Sequence, residues 1–314
     1  MSFDPELRRR CWFLAGPTAC GKSAAGIELA KRIEAEILSL DSMAVYRGMD
    51  VGTAKPPEGD RCAVPHHLID LVDPDQNYSV TEYLSDAEDA CRAVLSRGRV
   101  PLFVGGTGLY LRSLLRGLFE GPGKSNEIRD RLEREAEAAG NEALHARLRS
   151  LDPPRAAKIH PNDLRRVVRA LEVIETAGRP MSELQVNPAL PEGERARHVY
   201  WLSPPREWLY QSIERRVDRM LADGLLEETR RLRERFGTLS LTALQAIGYR
   251  ELVEHLEGQH TLDEAVELIK RHTRQFAKRQ HTWFRNLEEC RVTEISGEET
   301  PAEVAEQIIA CGTG

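Results

Sequence analysis

The sequence predicts an α/β fold: a parallel-sheet core of the P-loop NTPase type flanked by helices, with a helical insertion domain and a helical C-terminal arm. Three observations carry this. Gly16-Pro17-Thr18-Ala19-Cys20-Gly21-Lys22-Ser23 fits G-x-x-x-x-G-K-[ST], a phosphate-binding loop, and lies between a strand-length apolar run and a helical run. Short apolar runs alternate with helical patterns. Residues 126–189 show no strand pattern and are rich in Arg, Glu and Ala. The expected division is 1–122 with 190–314 for the core and C-terminal helices, and 123–189 for the insertion.

Cys11 to Ala15 is the apolar run before the loop, and Ser23 to Ile33 has helical spacing. Such a strand–loop–helix turn aims backbone N–H groups and a helix N-terminus at an anion. Lys22 would reach the outer phosphate, and Ser23 would hold a Mg²⁺ bridging phosphate oxygens. Glu36 to Leu40 is the next strand. Asp41 follows at its carboxyl end, where open α/β sheets bind ligands. A carboxylate there binds Mg²⁺, accepts a proton from a nucleophile, or only caps a turn.

Residues 48–60 read as a loop, and His66 to Pro74 as a short strand and turn. Ser79 to Arg97 is a helix with a Ser79–Glu82 capping box and an apolar stripe through Tyr83, Leu84, Ala87 and Cys91. Val100 to Val104 is a buried strand ending in Gly105-Gly106-Thr107-Gly108. Thr107 would bond a phosphate or a nucleophile there, or cap the next helix, Leu109 to Leu118. In the insertion, Asn162 or Asp163 caps a helix that puts Arg165, Arg166 and Arg169 on one side. His198 to Ser203 returns to strand. Helices follow over Arg206–Leu221, Leu225–Phe236, Ala243–Leu252 and Leu262–Leu287, then a strand at Arg291–Ile295 and a helix at Ala302–Cys311.

The totals limit the function classes. The chain has 314 residues, 41% of them hydrophobic, and no run of eighteen apolar residues, so nothing is expected to span a membrane. The N-terminal segment shows no signal-peptide pattern. None of the six cysteines is paired as C-x-x-C, which points to reduced cytoplasmic thiols and away from a zinc module. The net charge is −6, yet Ile269 to Leu287 holds no acid. Lys270, Arg274, Lys278 and Arg285 form a basic line there, suited to a phosphate backbone. The candidate Walker-B strand, Val100 to Val104, ends in Gly-Gly-Thr and not in Asp, which weakens a nucleotide-driven motor. Three readings remain: a small-molecule kinase, a transferase using the loop for a diphosphate and acting on RNA, and a nucleotide-gated RNA-binding module.

The segments G-P-T-A-C-G-K-S, D-S-M-A-V-Y-R-G-M-D-V-G-T-A-K-P, H-H-L-I-D, V-G-G-T-G-L-Y, H-P-N-D-L-R-R-V-V-R-A-L-E-V, Q-A-I-G-Y-R-E and T-R-Q-F-A-K-R-Q-H-T-W-F-R resemble, in order and over nearly the whole chain, the bacterial tRNA dimethylallyltransferases. The resemblance implies transfer of a dimethylallyl group from its diphosphate to the exocyclic amine of adenosine 37, in the tRNA anticodon stem-loop. It implies that Gly16 to Ser23 cradle the diphosphate with Mg²⁺ on Ser23, that Asp41 takes the amine proton, and that Thr107 and Arg216 contact substrate. It places tRNA contacts at Asp41, Ser42, Met43, Ala44 and Thr107, at Arg129, and at Arg165, Arg166, Val167, Val168 and Arg169. Further contacts fall at Gln245, Ala246, Ile247, Gly248, Tyr249 and Arg250. The last set is Lys278, Arg279, Gln280, His281, Thr282, Trp283, Phe284 and Arg285. Many members carry Gln at the positions of Ala44 and Arg165. A relative that prenylates free adenine nucleotides is the nearest rival; it needs neither the insertion nor the acid-free helix. A monomer is expected.

Overall fold

The structure is a computed structural model that describes residues 2–119, 121–185 and 188–312. It divides into two compact units, Gly117–Pro188 and Ser2–Arg116 with Ala189–Gly314.

In the larger unit, α1 (Pro5–Arg10) is capped by Asp4, whose carboxylate accepts the N–H groups of Glu6 and Leu7. Then come β1 (Trp12–Ala15), α2 (Lys22–Arg32) and β2 (Ala35–Leu40). Where the sequence predicts loop through Asp60, a short helix, α3 (Glu58–Ala63), begins at Glu58. The short strand and turn expected over His66 to Pro74 are β3 (His66–His67) and the backbone after it, where Leu68 and Asp70 take left-handed φ angles of 62° and 57° that end the extended run. α4 (Val80–Ser96) starts on the Ser79–Glu82 capping box and buries Tyr83, Leu84, Ala87, Cys91 and Val94. β4 (Val100–Gly105) and α5 (Gly108–Arg116) complete this part.

The smaller unit is helical: α6 (Asn126–Ala139), α7 (Asn141–Leu151), α8 (Pro153–Ala156), α9 (Leu164–Ala177) and α10 (Met181–Leu184). Leu132, Leu144, Leu148, Val167 and Leu171 form its dry core. Asp163 caps α9, accepting from Arg166 N–H.

The larger unit resumes with β5 (His198–Ser203), α11 (Arg206–Ala222) and α12 (Leu225–Phe236). The helix expected at Ala243–Leu252 is broken. A 3₁₀ turn at Ala243–Gln245 precedes α13 (Tyr249–Leu256), since Gly248 has φ 106° and gives its N–H to Glu251 Oε2. α14 (Leu262–Arg285), β6 (Arg291–Glu294) and α15 (Pro301–Gly312) follow.

Among the described residues, one six-stranded sheet has the order β3-β2-β4-β1-β5-β6, with every pairing parallel. β2 is buried along its whole length, and the central strands are buried at nearly every position, as a sheet covered on both faces requires. The carboxyl ends of β1, β2 and β4 therefore lie side by side. Gly105 permits this: a Cβ there would sit 2.2 Å from Leu40 O on β2.

Candidate active site

The loop between β1 and α2 has a fixed shape. Ala19 and Gly21 adopt φ 65° and 85°, a curl that turns backbone amides inward. Lys22 Nζ donates to Pro17 O at 3.3 Å, and Ser212 Oγ of α11 donates to Ala19 O at 2.9 Å. Thr18 N–H donates to Gln280 Oε1 at 2.8 Å. Gly16 and Cys20 are buried against each other, and a Cβ on Gly16 would lie 2.8 Å from Cys20 Sγ. Burial pushes the Lys22 ammonium's pKa down; the nearby Arg216 charge adds to this and Asp41 opposes it. Ser23 follows on the exposed first turn of α2.

Asp41 sits just past β2, half-buried. Its Oδ1 accepts the N–H of Met43 at 2.8 Å, an Asx turn. The next amide, Ser42 N–H, donates to Thr107 Oγ1 at 3.0 Å. Gly106 N–H and Thr107 N–H both donate to Leu40 O at 3.1 Å. The turn after β4 is thus tied to the turn after β2, with the Thr107 hydroxyl bonded to Ser42.

A cavity of about 570 Å³ opens over these turns. Thr18, Asp41, Ser42, Met43, Thr107 and Arg216 line it, with Val217, Met220, Leu225, Ile247, Ile269 and Phe276 as apolar wall. Arg216 also lines a second cavity of about 670 Å³ with Ala19, Gly21, Lys55, Arg215 and Arg219. Burial lowers the Arg216 pKa, and Asp41 counters that. Arg215 is exposed and does not line the Asp41 cavity, so helix register selects Arg216 of the pair.

The expected RNA contacts divide. Gln245, Ile247, Arg250 and Arg279 line the cavity wall, and Lys278, Thr282 and Arg285 are exposed on α14. Arg165 and Arg166 are exposed on α9. Several side chains named as contacts point inward instead. Ala44, Val167, Val168 and Phe284 are buried core residues, while Ala246, also largely buried, lines the cavity beside Gln245 and Ile247. Tyr249 is buried and donates its hydroxyl to Glu228 at 2.6 Å, and Gly248 is the helix-breaking turn. Gln280 is buried on two loops, His281 meets Trp201 edge-on at 4.9 Å, and Arg112 stacks over Trp283 at 5.2 Å. Arg129 and Arg169 both pair with the buried Glu172, so their charges are partly spent inside the insertion. The basic line on α14 is shorter than its spacing implies. Lys270 pairs with Asp218 at 2.7 Å and Arg274 with Glu214 at 3.0 Å, acids that α11 brings across.

Sequence reasoning passed over Glu228. This buried carboxylate accepts the N–H groups of Asp50, Val51 and Gly52 at 3.0, 2.9 and 3.3 Å, and so shapes the loop that gives Gly52 and Thr53 to the cavity. Gly52 is required, since a Cβ would meet Tyr249 Cε2 at 2.5 Å. His272 and Glu251, bonded at 2.7 Å on the cavity wall, were likewise unmarked.

A curled anion loop and a strand-end carboxylate that open onto one partly apolar cavity define a P-loop-type α/β protein of the group-transfer class. A family pattern described as IPP transferase matches residues 44–287. The chain is 47% identical over 292 residues to the tRNA dimethylallyltransferase of Geobacter metallireducens, covering 93% of this chain and 94% of that one. It is 44% identical over 304 residues to that of Pelotomaculum thermopropionicum, covering 96% of each. The crystal structure of the Bacillus halodurans tRNA isopentenylpyrophosphate transferase superposes with a TM-score of 0.70 at 38% identity, covering 97% of this chain and 96% of that one. A eukaryotic dimethylallyltransferase described as acting on tRNA superposes at 0.74 and 29% identity, covering 91% and 74%. The chain belongs to the IPP transferase family.

Proposed function

We propose that the protein transfers the dimethylallyl group of dimethylallyl diphosphate to the exocyclic amine of adenosine 37 in the tRNA anticodon stem-loop, releasing diphosphate. The observation that carries this is the shared cavity of Thr18, Asp41, Thr107 and Arg216. The loop amides, Lys22 and Arg216 hold the diphosphate and stabilise the charge that grows on it as the allylic C–O bond breaks. The apolar residues Val217, Met220, Ile269 and Phe276 receive the prenyl tail. The adenine leaves its stack to reach the reactive carbon. A C–N bond forms there, and Asp41 takes the proton from the amine.

Ser23 offers the hard oxygen donor that Mg²⁺ takes, and would hold it together with diphosphate oxygens. A bound Mg²⁺ supplies neutralisation of the leaving group's charge. The exposed Lys278, Arg279 and Arg285, and Arg165 and Arg166 of the insertion, bind the RNA backbone. Residues 123–189 act as an RNA-binding insertion on the core. Among the described residues no helix is long and apolar enough to cross a membrane; the enzyme works as a cytoplasmic monomer.

The test is incubation with unmodified anticodon stem-loop RNA, Mg²⁺ and dimethylallyl diphosphate, read by mass spectrometry of digested nucleosides. A gain of one dimethylallyl group on adenosine 37 is expected. A gain on free AMP alone would assign a nucleotide prenyltransferase, and ATP turnover on a small acceptor would assign a kinase.

A further inference from the structure

We propose that Gln280 is a positioning residue for the transfer reaction: it holds the phosphate loop and the Gly106–Thr107 turn at a fixed separation. The inference rests on the reading of dimethylallyl diphosphate as donor.

By sequence Gln280 sits in the acid-free stretch Ile269–Leu287 between Arg279 and His281, a place for a surface contact with RNA. In the structure it is 4% exposed. Its Oε1 accepts the Thr18 N–H at 2.8 Å, and its Nε2 donates to Gly106 O at 2.9 Å. The amide orientation is set by its partners: a backbone N–H can only donate and a carbonyl oxygen can only accept. The contact is shaped from both sides. A Cβ on Gly106 would lie 2.2 Å from Gln280 Nε2, so only glycine admits the side chain. One turn further along α14, Trp283 covers Gly108, where a Cβ would meet its Cγ at 2.6 Å. The helix is seated directly on the turn that carries Thr107.

Two sets of bonds meet through this side chain. On one side, Lys22 and Ser212 fix Pro17 O and Ala19 O of the phosphate loop. On the other, Leu40 O and the Ser42–Thr107 bond fix the ends of β2 and β4 beside Asp41. Gln280 joins the loop that grips the leaving diphosphate to the turns that carry the acceptor-side groups. Transfer needs donor carbon, acceptor nitrogen and base in line, and a misplacement of about 1 Å can cost about 10²-fold in rate. Gln280 also commits the Thr18 N–H to a protein acceptor, which leaves the later amides of the loop for the anion.

The test is steady-state kinetics of the full chain carrying Gln280→Met or Gln280→Glu. Methionine keeps the length and makes neither bond; glutamate keeps the acceptor for Thr18 but sets an oxygen against Gly106 O. Both are expected to lower kcat/KM for dimethylallyl diphosphate by about tenfold or more, the effect of one to two lost buried hydrogen bonds. Inorganic pyrophosphate should bind them less tightly, while anticodon stem-loop RNA binds within twofold of the unchanged protein. Unaltered kinetics and pyrophosphate affinity would overturn the proposal. So would weakened RNA binding with intact donor kinetics, which would make Gln280 an RNA contact. If neither variant folds, amide hydrogen exchange in the unchanged protein decides: a protected Thr18 amide without ligand supports the clamp, and exchange at the rate of an open loop removes it. If the unchanged protein transfers no prenyl group, the donor reading fails; Thr18 exchange and pyrophosphate affinity still report on the clamp.

Discussion

Thr107 Oγ1 accepts the N–H of Ser42 at 3.0 Å, fixing the residue next to Asp41 to the turn after β4. This bond makes two strand ends one platform. Thr107→Val keeps the shape, removes the acceptor and leaves the Ser42 amide without it, at a cost of about 1–3 kcal/mol. Urea denaturation should show that loss with reduced turnover, and Thr107→Ser should restore most of both.

Asp41→Ala should lower turnover about 10²–10⁴-fold, the contribution of a positioned general base. Binding of anticodon stem-loop RNA, measured by titration, should change little. Near-normal turnover would remove Asp41 from the base role.

The pairing of Lys270 and Arg274 with α11 separates two halves of the basic helix. Lys278→Ala with Arg285→Ala should weaken RNA binding and make the slope of log K against log salt shallower by about 1.4, at about 0.7 per single-strand phosphate contact. Lys270→Ala with Arg274→Ala should leave the slope almost unchanged. Equal slopes for both double variants would remove the exposed half from the RNA contact.

Glu228→Ala should unpair the amides of Asp50, Val51 and Gly52 and the Tyr249 hydroxyl together. Stability should fall by about 1–3 kcal/mol for the buried Tyr249 hydroxyl left unsatisfied, with a smaller addition from the part-buried amides. The urea midpoint measures this; a shift worth less than one hydrogen bond would mean that water takes over the amides.

Glu36 accepts two bonds from Arg97 and one from His67, and the Arg97 guanidinium holds its carboxyl below the ordinary value of 4.5 against the opposing effect of burial. A lowered native pKa gives stability that is present above the unfolded value and lost as pH falls through the native one. Glu36→Gln should therefore be less stable than the unchanged protein at pH 7. The difference should close as pH drops below about 4.5, read as urea midpoints across pH. A constant difference down to the acid limit would mean that Glu36 acts through shape and not charge.

Much of the scaffold is legible locally. The phosphate loop, the capping box at Ser79, and the apolar runs of β2, β4 and β5 each depend on residues a few positions apart. Legibility failed where glycine in left-handed backbone cut a helical run, as at Gly248. Among site residues, Asp41 and Thr107 were visible because a strand end announces them. Glu228 was not, because nothing in L-L-E-E-T separates it from Glu227; only the loop it caps does.

By itself, the sequence determined that a phosphate loop opens a parallel sheet, that Asp41 and Thr107 stand at strand ends, and that α14 carries cations without acids from Ile269 onward. Those facts follow from spacing of 2 to 4 residues and from side-chain chemistry. The tertiary structure alone decided which cations stay free, which of Arg215 and Arg216 lines the cavity, and that Gln280 belongs to the phosphate loop instead of the surface. The reason is that ion pairs and buried hydrogen bonds are made between elements far apart in the chain. The partner that satisfies or neutralises a group is set by packing, and the sequence around the group carries no mark of it.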